Sequence, residues 1–517
     1  VLGSGVMGAQ IAAHLANAGL RVLMLDVSRD VAREGLQRAT RLKPDPFFTP
    51  DVPSLIRTGG FDEDLAQVGD ADWIVEAIVE KLDAKQTLLA RVDAVRRADS
   101  VVSSNTSGIP IASIAEGRSD SFRRHWLGTH FFNPPRYLHL LELIPTAKTD
   151  PAVVTAVREF ADLRLGKGVV IAKDSPGFIA NRIGIHGLMQ VFRAIESGEY
   201  SIEEVDAITG AAIGRPKSAT FRTVDIAGVD VLAHVARTLG HELPPFVEQM
   251  VARGMTGAKA GRGFYQKVGD DILTLDAKTL EYRPKQPAKL PSLEAARSIE
   301  PVGERIRALY EGKDKVGAFL RATLGPTLEY AAQSADEIAH APEDIDNAMR
   351  WGFGWELGPF ETLRALQLPA SSSPLPASSF PLPAASSQLP APSRQVVRKN
   401  AGASLIDMGD GVLQVEFHSK MNAIGGDTIQ MLQAGVKEAS QNFRALVIGN
   451  DAPNFCAGAN LMLLLLESQE GNWDDVDLMV RGFQGAVMAL KHADVPVVVA
   501  PAGLSLNSHS WPNRVSK

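Results

Sequence analysis

An α/β fold is predicted, in which a largely parallel sheet covered by helices is followed by helical domains and then by a further α/β unit. Three observations predict it. Short apolar runs at Val22–Leu25, Trp73–Val75, Val101–Val102, Leu127–Phe132, Leu140–Ile144 and Val169–Ala172 alternate with polar or helix-periodic stretches over residues 1–177. That is the rhythm of an open sheet wound by helices. From Asp174-Ser175-Pro176-Gly177 onward the strand signals fade, and 178–268 reads as helical, with Ile179, Ile183, His186/Gly187 and Met189/Gln190 marking successive turns. A glycine turn, Gly3-x-Gly5-x-x-Gly8, opens the chain and runs straight into a helix pattern with Ile11, Ala12, Leu15 and Ala16 on one face.

The bulk numbers bound the reading. A chain of 517 residues exceeds what one core serves, so several domains are expected. Hydrophobic content of 45% and charged content of 22% are those of an ordinary globular protein. A net charge of −7 argues against a nucleic-acid partner. Cys456 is the only cysteine, which rules out an intrachain disulfide and suits a reducing compartment. No apolar run approaches the ~20 residues of a membrane-spanning helix, Leu461–Leu466 being the longest cluster. A cytoplasmic location is expected. A targeting peptide stays open, because only Val1 and Leu2 precede Gly3 and there is no initiator Met. Most of the strand that should hold the turn is therefore expected to be missing.

Further along, Ser201-Ile202-Glu203-Glu204 reads as a capping box. "EEVDAITGAAIGRP" from Glu203 is echoed by "EDIDNAMRWGFGWELGPFE" from Glu343, an offset of 140. Repeated helical units pack on each other, so 295–366 is expected to be a second copy of the domain at 178–268. Residues 367–395 are Pro/Ala/Ser-rich and read as an extended linker. Residues 396–517 return to mixed strand and helix signals.

The glycine turn carries chemistry. Its first glycine permits the tight turn, its second lets a pyrophosphate approach the backbone, and its third packs helix on strand. Free N–H groups at the helix start attract the phosphates. The next strand, "RVLMLD", ends in Asp26, placed to accept ribose hydroxyls and to repel a 2′-phosphate. The expectation is a Rossmann-type domain that binds NAD rather than NADP. Oxidising an alcohol by hydride transfer needs a base for the hydroxyl proton, and histidine suits that task. His130, in "GTHFFNPP", lies where a strand meets an Asn-Pro turn. Glu142, in "LLELIP", is a carboxylate in an apolar strand, which is costly without a partner. The residues alone leave two readings open, a His–carboxylate pair or two unrelated polar groups at a sheet rim.

"SNTSGIPI", "GTHFFNPP…LLELIP" and "DSPGFIANRI", in this order after the glycine turn, resemble the L-3-hydroxyacyl-CoA dehydrogenase family of fatty-acid β-oxidation. The resemblance covers about 1–268, and the repeat fits multifunctional members with two helical copies. It implies that His130 is the catalytic base and Glu142 its orienting partner, with Ser107 and Asn181 on the substrate. It implies NAD contacts from Gly3, Gly5, Met7, Gly8, Asp26, Glu80, Lys85 and Asn133. Without the family, Glu80 and Lys85 read as a solvated helix pair. The implied reaction is oxidation of a (3S)-3-hydroxyacyl-CoA to the 3-ketoacyl-CoA, in a cleft that closes over the thioester. An acyl-CoA is the expected small-molecule partner, and a thiolase or a second copy of the chain is the protein partner to look for. Arg38, Arg41 and Lys43, on a predicted helix after Asp26, face either CoA phosphates or solvent.

"HSKMNAIGGD" and "NDAPNFCAGANL" resemble the enoyl-CoA hydratase (crotonase) family. There Ala457-Gly458-Ala459 would supply one oxyanion-hole N–H, from Ala459. The glycine turn that should follow "PVVVAPAGLSL" is replaced by Asn507-Ser508-His509-Ser510-Trp511. A degenerate oxyanion hole, an incomplete module and no hydratase activity are expected. Three rivals stay open: a hydratase or isomerase with a structural dehydrogenase half, an inactive fragment, and a Rossmann dehydrogenase acting on free hydroxy acids.

Overall fold

A computed structural model describes residues 1–368, 395–409, 411–450, 452, 454–459, 461–501 and 504–505. The chain forms two compact units, residues 1–382 and 383–517.

The first unit begins with the glycine turn and α1 (Val6–Asn17), then β1 (Val22–Asp26), α2 (Arg29–Ala39) and β2 (Ile56–Gly60). There follow β3 (Trp73–Glu76), α3 (Leu82–Val95), β4 (Val101–Ser104), β5 (Trp126–Phe131), β6 (Leu140–Pro145), α4 (Pro151–Leu165) and β7 (Gly168–Ile171). β1 pairs with β2, and β3 to β7 lie side by side in chain order. All neighbouring strands are parallel except β5 and β6. The eight residues between those two are too few for a crossover, so β6 must turn back. β2 carries Arg57 and Thr58 before two glycines and gave no apolar run to read.

Leu2 joins the two groups of strands by bridging Leu25 on one side and Glu76 on the other. The Leu2 N–H donates to Val75 O at 2.8 Å, Gly3 N–H to Leu25 O at 2.7 Å, and Ala77 N–H to Leu2 O at 2.7 Å. Leu2 is fully buried. The opening turn therefore has backbone partners on both sides.

Side chains alternate across strands, and this sorts the two faces. Leu141 and Leu143 join Met24, Ile11, Leu15 and Val157 in one core. Leu140 and Ile144 join Trp126, Val102 and Ile179 in the other, which continues into the helical region through Met189, Phe192, Leu324 and Leu328. His130 and Glu142 have the parity of this second face.

The helical region comprises α5 (Ala180–Glu196), α6 (Ile202–Thr209), α7 (Ala219–Ala227), α8 (Val229–Thr238) and α9 (Pro245–Ala252). The capping box at the start of α6 is present, the Glu204 N–H donating to Ser201 Oγ and the Ser201 N–H to Glu204 Oε2. One correction is needed here. Residues 265–284 form a three-stranded antiparallel sheet of β8 (Tyr265–Val268), β9 (Asp271–Leu275) and β10 (Tyr282–Pro284), so the helical reading fails at its last four residues. Carboxylates of the helices hold this sheet. Arg283 makes a two-pronged pair with Glu203 at 2.7 and 2.8 Å, and Tyr265 Oη donates to Asp206 at 2.7 Å. A second correction concerns Arg41 and Lys43, which lie beyond the end of α2 at Ala39; Arg38 alone is on that helix, within 3.8 Å of Glu34.

After a short helical turn at Pro291–Ala296 come four longer helices: α10 (Val302–Glu311), α11 (Lys315–Ile338), α12 (Pro342–Phe353) and α13 (Pro359–Leu366). The two echoing segments share one hydrogen-bond feature. Asp206 Oδ1 accepts the Phe221 N–H in the first turn of α7, and Asp346 Oδ1 accepts the Phe360 N–H in the first turn of α13, each at 2.7 Å. The copies meet where Arg182 of α5 donates to Tyr330 Oη and Glu337 of α11, both at 2.8 Å.

Burial pushes the Asp346 carboxyl up to about 6, against the opposing effect of the Phe360 N–H. A raised folded value means extra stability below the unfolded value of ~3.9 that is lost as pH rises through about 6. Asp346→Asn keeps the accepting oxygen and no longer titrates. Its stability relative to wild type should therefore improve by ~1–3 kcal/mol between pH 4 and pH 7 in denaturant titrations. A pH-independent difference would show that Asp346 does not titrate in this way.

The second unit has a five-stranded sheet in the order β11 (Gln395–Lys399), β12 (Ala403–Asp407), β13 (Val412–Phe417), β14 (Ala445–Gly449) and β16 (Val497–Ala500). β15 (Asn454–Cys456) pairs with β17 (Leu504–Ser505). Three helices, α14 (Gly426–Asn442), α15 (Leu461–Glu470) and α16 (Trp473–Lys491), complete it. Leu405, Val415, Met431, Leu446, Ile448 and Leu490 form its core. Residues 369–394 of the expected linker, and the tail from Leu506 with its Asn507–Trp511 segment, lie outside the described residues. No described helix is long and apolar enough to cross a membrane.

Candidate active site

The site grows from the β5–β6 register. His130 and Glu142 are direct partners across that antiparallel pair, so the same-face rule puts their side chains together. His130 Nδ1 lies 2.7 Å from Glu142 Oε2. Both side chains are buried, Glu142 completely. Its other oxygen, Oε1, accepts the N–H groups of Ile179 at 3.1 Å and Ala180 at 2.9 Å. These are orphan donors at the start of α5, where a carboxylate is favoured. A carboxylate can only accept, so Nδ1 carries the ring proton and Nε2 is left with its lone pair. Phe132 and Phe178 flank the imidazole at 4.6 and 5.5 Å between ring centres. The arrangement is an oriented base in an apolar setting. Asn181, half-buried, follows Ala180 directly in α5.

The glycine turn has the shape its sequence requires. Gly3 has φ +102°, and a Cβ there would stand 2.5 Å from Ala77 O. A Cβ on Gly8 would stand 2.1 Å from Gly3 O, whereas one on Gly5 would meet nothing within 4 Å. The open side is thus at the second glycine, and Gly5 caps α1 with no side-chain hydrogen bond to the helix. Free N–H groups facing an open cradle fit a pyrophosphate. Met7, half-buried, lies in the first turn of α1. Asp26, at the end of β1, accepts Ser4 N–H at 2.6 Å and Ser4 Oγ–H at 2.7 Å on Oδ2, and Val27 N–H at 2.7 Å on Oδ1. These bonds aim the carboxylate from beside the turn, as a ribose-binding acid requires. Asn133 is exposed, and its Oδ1 accepts from Gln10 Nε2 of α1 at 3.0 Å.

Glu80 and Lys85 are not a solvated helix pair. Glu80 precedes α3, and Lys85 in its first turn is almost wholly buried, 3.3 Å from Glu80 Oε2. Glu80 Oε1 accepts Thr106 Oγ1–H at 2.5 Å, Ser107 N–H at 3.0 Å and Gly108 N–H at 3.2 Å. Burial opposes its charge, but the Lys85 ammonium and these donors outweigh burial and hold the Glu80 carboxyl below its usual range. Glu80, Lys85 and Ser107 are thus one assembly. Ser4, on Asp26, and Gln10, on Asn133, adjoin these residues without any signal in the sequence. In the second unit, Ala459 bridges Ile424, whose N–H donates to Gly458 O at 2.9 Å. Among the described residues no cluster of His, Cys, Asp or Glu could hold a metal ion.

The NAD-binding domain of 3-hydroxyacyl-CoA dehydrogenase matches residues 1–175, and the C-terminal domain of that family matches 177–267 and 317–389. A probable 3-hydroxyacyl-CoA dehydrogenase of Bacillus subtilis is 42% identical over 98% of this chain and 73% of its own length. A 3-hydroxybutyryl-CoA dehydrogenase of Mycobacterium tuberculosis is 34% identical over 51% of this chain and 96% of its own. The solved 3-hydroxybutyryl-CoA dehydrogenase of Escherichia coli superposes with a TM-score of 0.51 at 24% identity, over 71% of this chain and 93% of that one, a likeness of fold.

Proposed function

The chain belongs to the 3-hydroxyacyl-CoA dehydrogenase family, and on that premise we propose that His130 and Glu142 carry its reaction. It is an NAD-dependent oxidoreductase that oxidises 3-hydroxyacyl-CoA thioesters in fatty-acid metabolism. The observation that carries the assignment of roles is the 2.7 Å contact between His130 Nδ1 and Glu142 Oε2, with Oε1 anchored on α5. His130 Nε2 takes the proton of the (3S)-hydroxyl. Glu142 keeps the imidazole in its Nδ1–H form and stabilises the imidazolium that results. Asn181, at the start of α5, positions the acyl group, and Ser107 meets the substrate oxygen. Bound NAD supplies the hydride acceptor. Gly3, Gly5, Met7 and Gly8 hold its pyrophosphate, Asp26 its ribose, and Glu80, Lys85 and Asn133 its nicotinamide half. Residues 1–177 form the dinucleotide domain, with 178–268 and 295–366 as two copies of the helical domain.

Asp26 sets the cofactor. Asp26→Ala should raise the KM for NADH about tenfold and narrow the preference over NADPH, because the ribose acceptor and the repulsion of a 2′-phosphate go together. An unchanged preference in steady-state assays would remove Asp26 from this role.

Residues 396–517 we read as an incomplete enoyl-CoA-hydratase-like module that does not hydrate. Its antiparallel β12–β13 pair, the helix α14 and the parallel β14 suit that reading, as does the Ala457–Ala459 turn. Crotonyl-CoA should keep its enoyl absorbance in the presence of the chain, and hydration at an enzymatic rate would refute this. We place the protein in the cytoplasm, with a thiolase or a second copy of the chain as its partner.

A further inference from the structure

One buried carboxylate is linked by short chains of contact to both halves of the site. Glu76 ends β3 and is fully buried. Its Oε1 accepts the Ile78 N–H at 2.8 Å and lies 2.7 Å from Lys85 Nζ, while Oε2 accepts Ser104 Oγ–H at 2.5 Å. Ser104 is its register partner on β4. From here two chains of contact run. Through Ile78, Glu76 fixes the Ala77–Ile78 turn, whose Ala77 carbonyl is the surface against which Gly3 packs. Through Lys85 it fixes Glu80, which holds the backbone of Ser107 and Gly108. The Glu76 carbonyl also accepts the Asn105 N–H at 2.8 Å, and Asn105 Oδ1 accepts the Phe131 N–H beside His130 at 2.8 Å.

We propose that Glu76 is a positioning residue for the dehydrogenase reaction, registering the Ser107 loop against the dinucleotide turn through Lys85 and Glu80. This rests on the family assignment and on the proposed role of Ser107. A buried ammonium between two carboxylates is a strong constraint, because each partner left alone would be an uncompensated charge. Glu76 touches neither the open side of the turn nor His130, so its effect on turnover must pass through the groups it holds.

The test is a double-mutant cycle on the full chain, read by NADH oxidation with acetoacetyl-CoA. Wild-type turnover first establishes the activity, independently of Glu76. Glu76→Gln keeps shape and an accepting oxygen but leaves Lys85 to Glu80 alone, and should lower kcat roughly tenfold. In a Ser107→Ala background the same change should cost no more than about twofold, since the hydroxyl it places is gone. Ser104→Ala, which leaves all three charges in place, should shift kcat the same way by about threefold and covers the case in which Glu76→Gln does not fold. Losses that multiply in Glu76→Gln/Ser107→Ala, or a lower Tm with unchanged kcat, would overturn the proposal and leave the dehydrogenase assignment standing.

Discussion

His130→Ala should lower turnover by about 10⁴-fold while NADH still binds with near wild-type affinity. The size follows from removing a general base whose proton-accepting atom is the only nitrogen left free by the Glu142 contact. Nothing in the glycine turn, at Asp26 or in the Glu80–Lys85 assembly touches His130, so the cofactor should not sense the loss. NADH fluorescence titration and steady-state kinetics separate the two quantities. Turnover within tenfold of wild type would remove His130 from the mechanism.

Glu142→Gln is expected to cost ~10³-fold in kcat with little change in KM for NADH. An amide in place of the carboxylate can turn its NH₂ toward Nδ1, which fixes the proton on Nε2 and abolishes the base. The same amide can keep its oxygen on the Ile179 and Ala180 N–H groups, so α5 stays docked. Glu142→Ala behaves differently, because those two buried donors are then orphaned at ~1–3 kcal/mol each. Its Tm should fall well below that of Glu142→Gln. Equal stability of the two variants would mean that α5 does not depend on Glu142.

These expectations show where the sequence was informative. Glu142 stood out because a carboxylate in an apolar strand needs a partner, and the β5–β6 register supplied it. Glu76 in "DWIVEAIV" carries the same signature, but its partners, Ser104 and Lys85, lie on a neighbouring strand and helix that no spacing connects. Lys85 looked like a surface lysine for the same reason; its burial is a tertiary fact. β2 shows no apolar run because Arg57, Thr58 and two glycines follow its single apolar residue, Ile56, and its place is set by pairing with β1. The β8–β10 sheet hid behind a helical region whose carboxylates pin it down. Leu2 ties the opening turn to a strand on either side through backbone bonds that no side-chain pattern announces.

This chain transfers hydride between NAD and a 3-hydroxyacyl-CoA. The direct test is the absorbance of NADH on mixing the full chain with acetoacetyl-CoA. Saturable, enzyme-dependent NADH loss is expected, yielding the (3S)-3-hydroxybutyryl thioester and abolished in His130→Ala. Folded chain that binds NADH yet leaves it unoxidised with acetoacetyl-CoA and with longer 3-ketoacyl-CoA thioesters would contradict it.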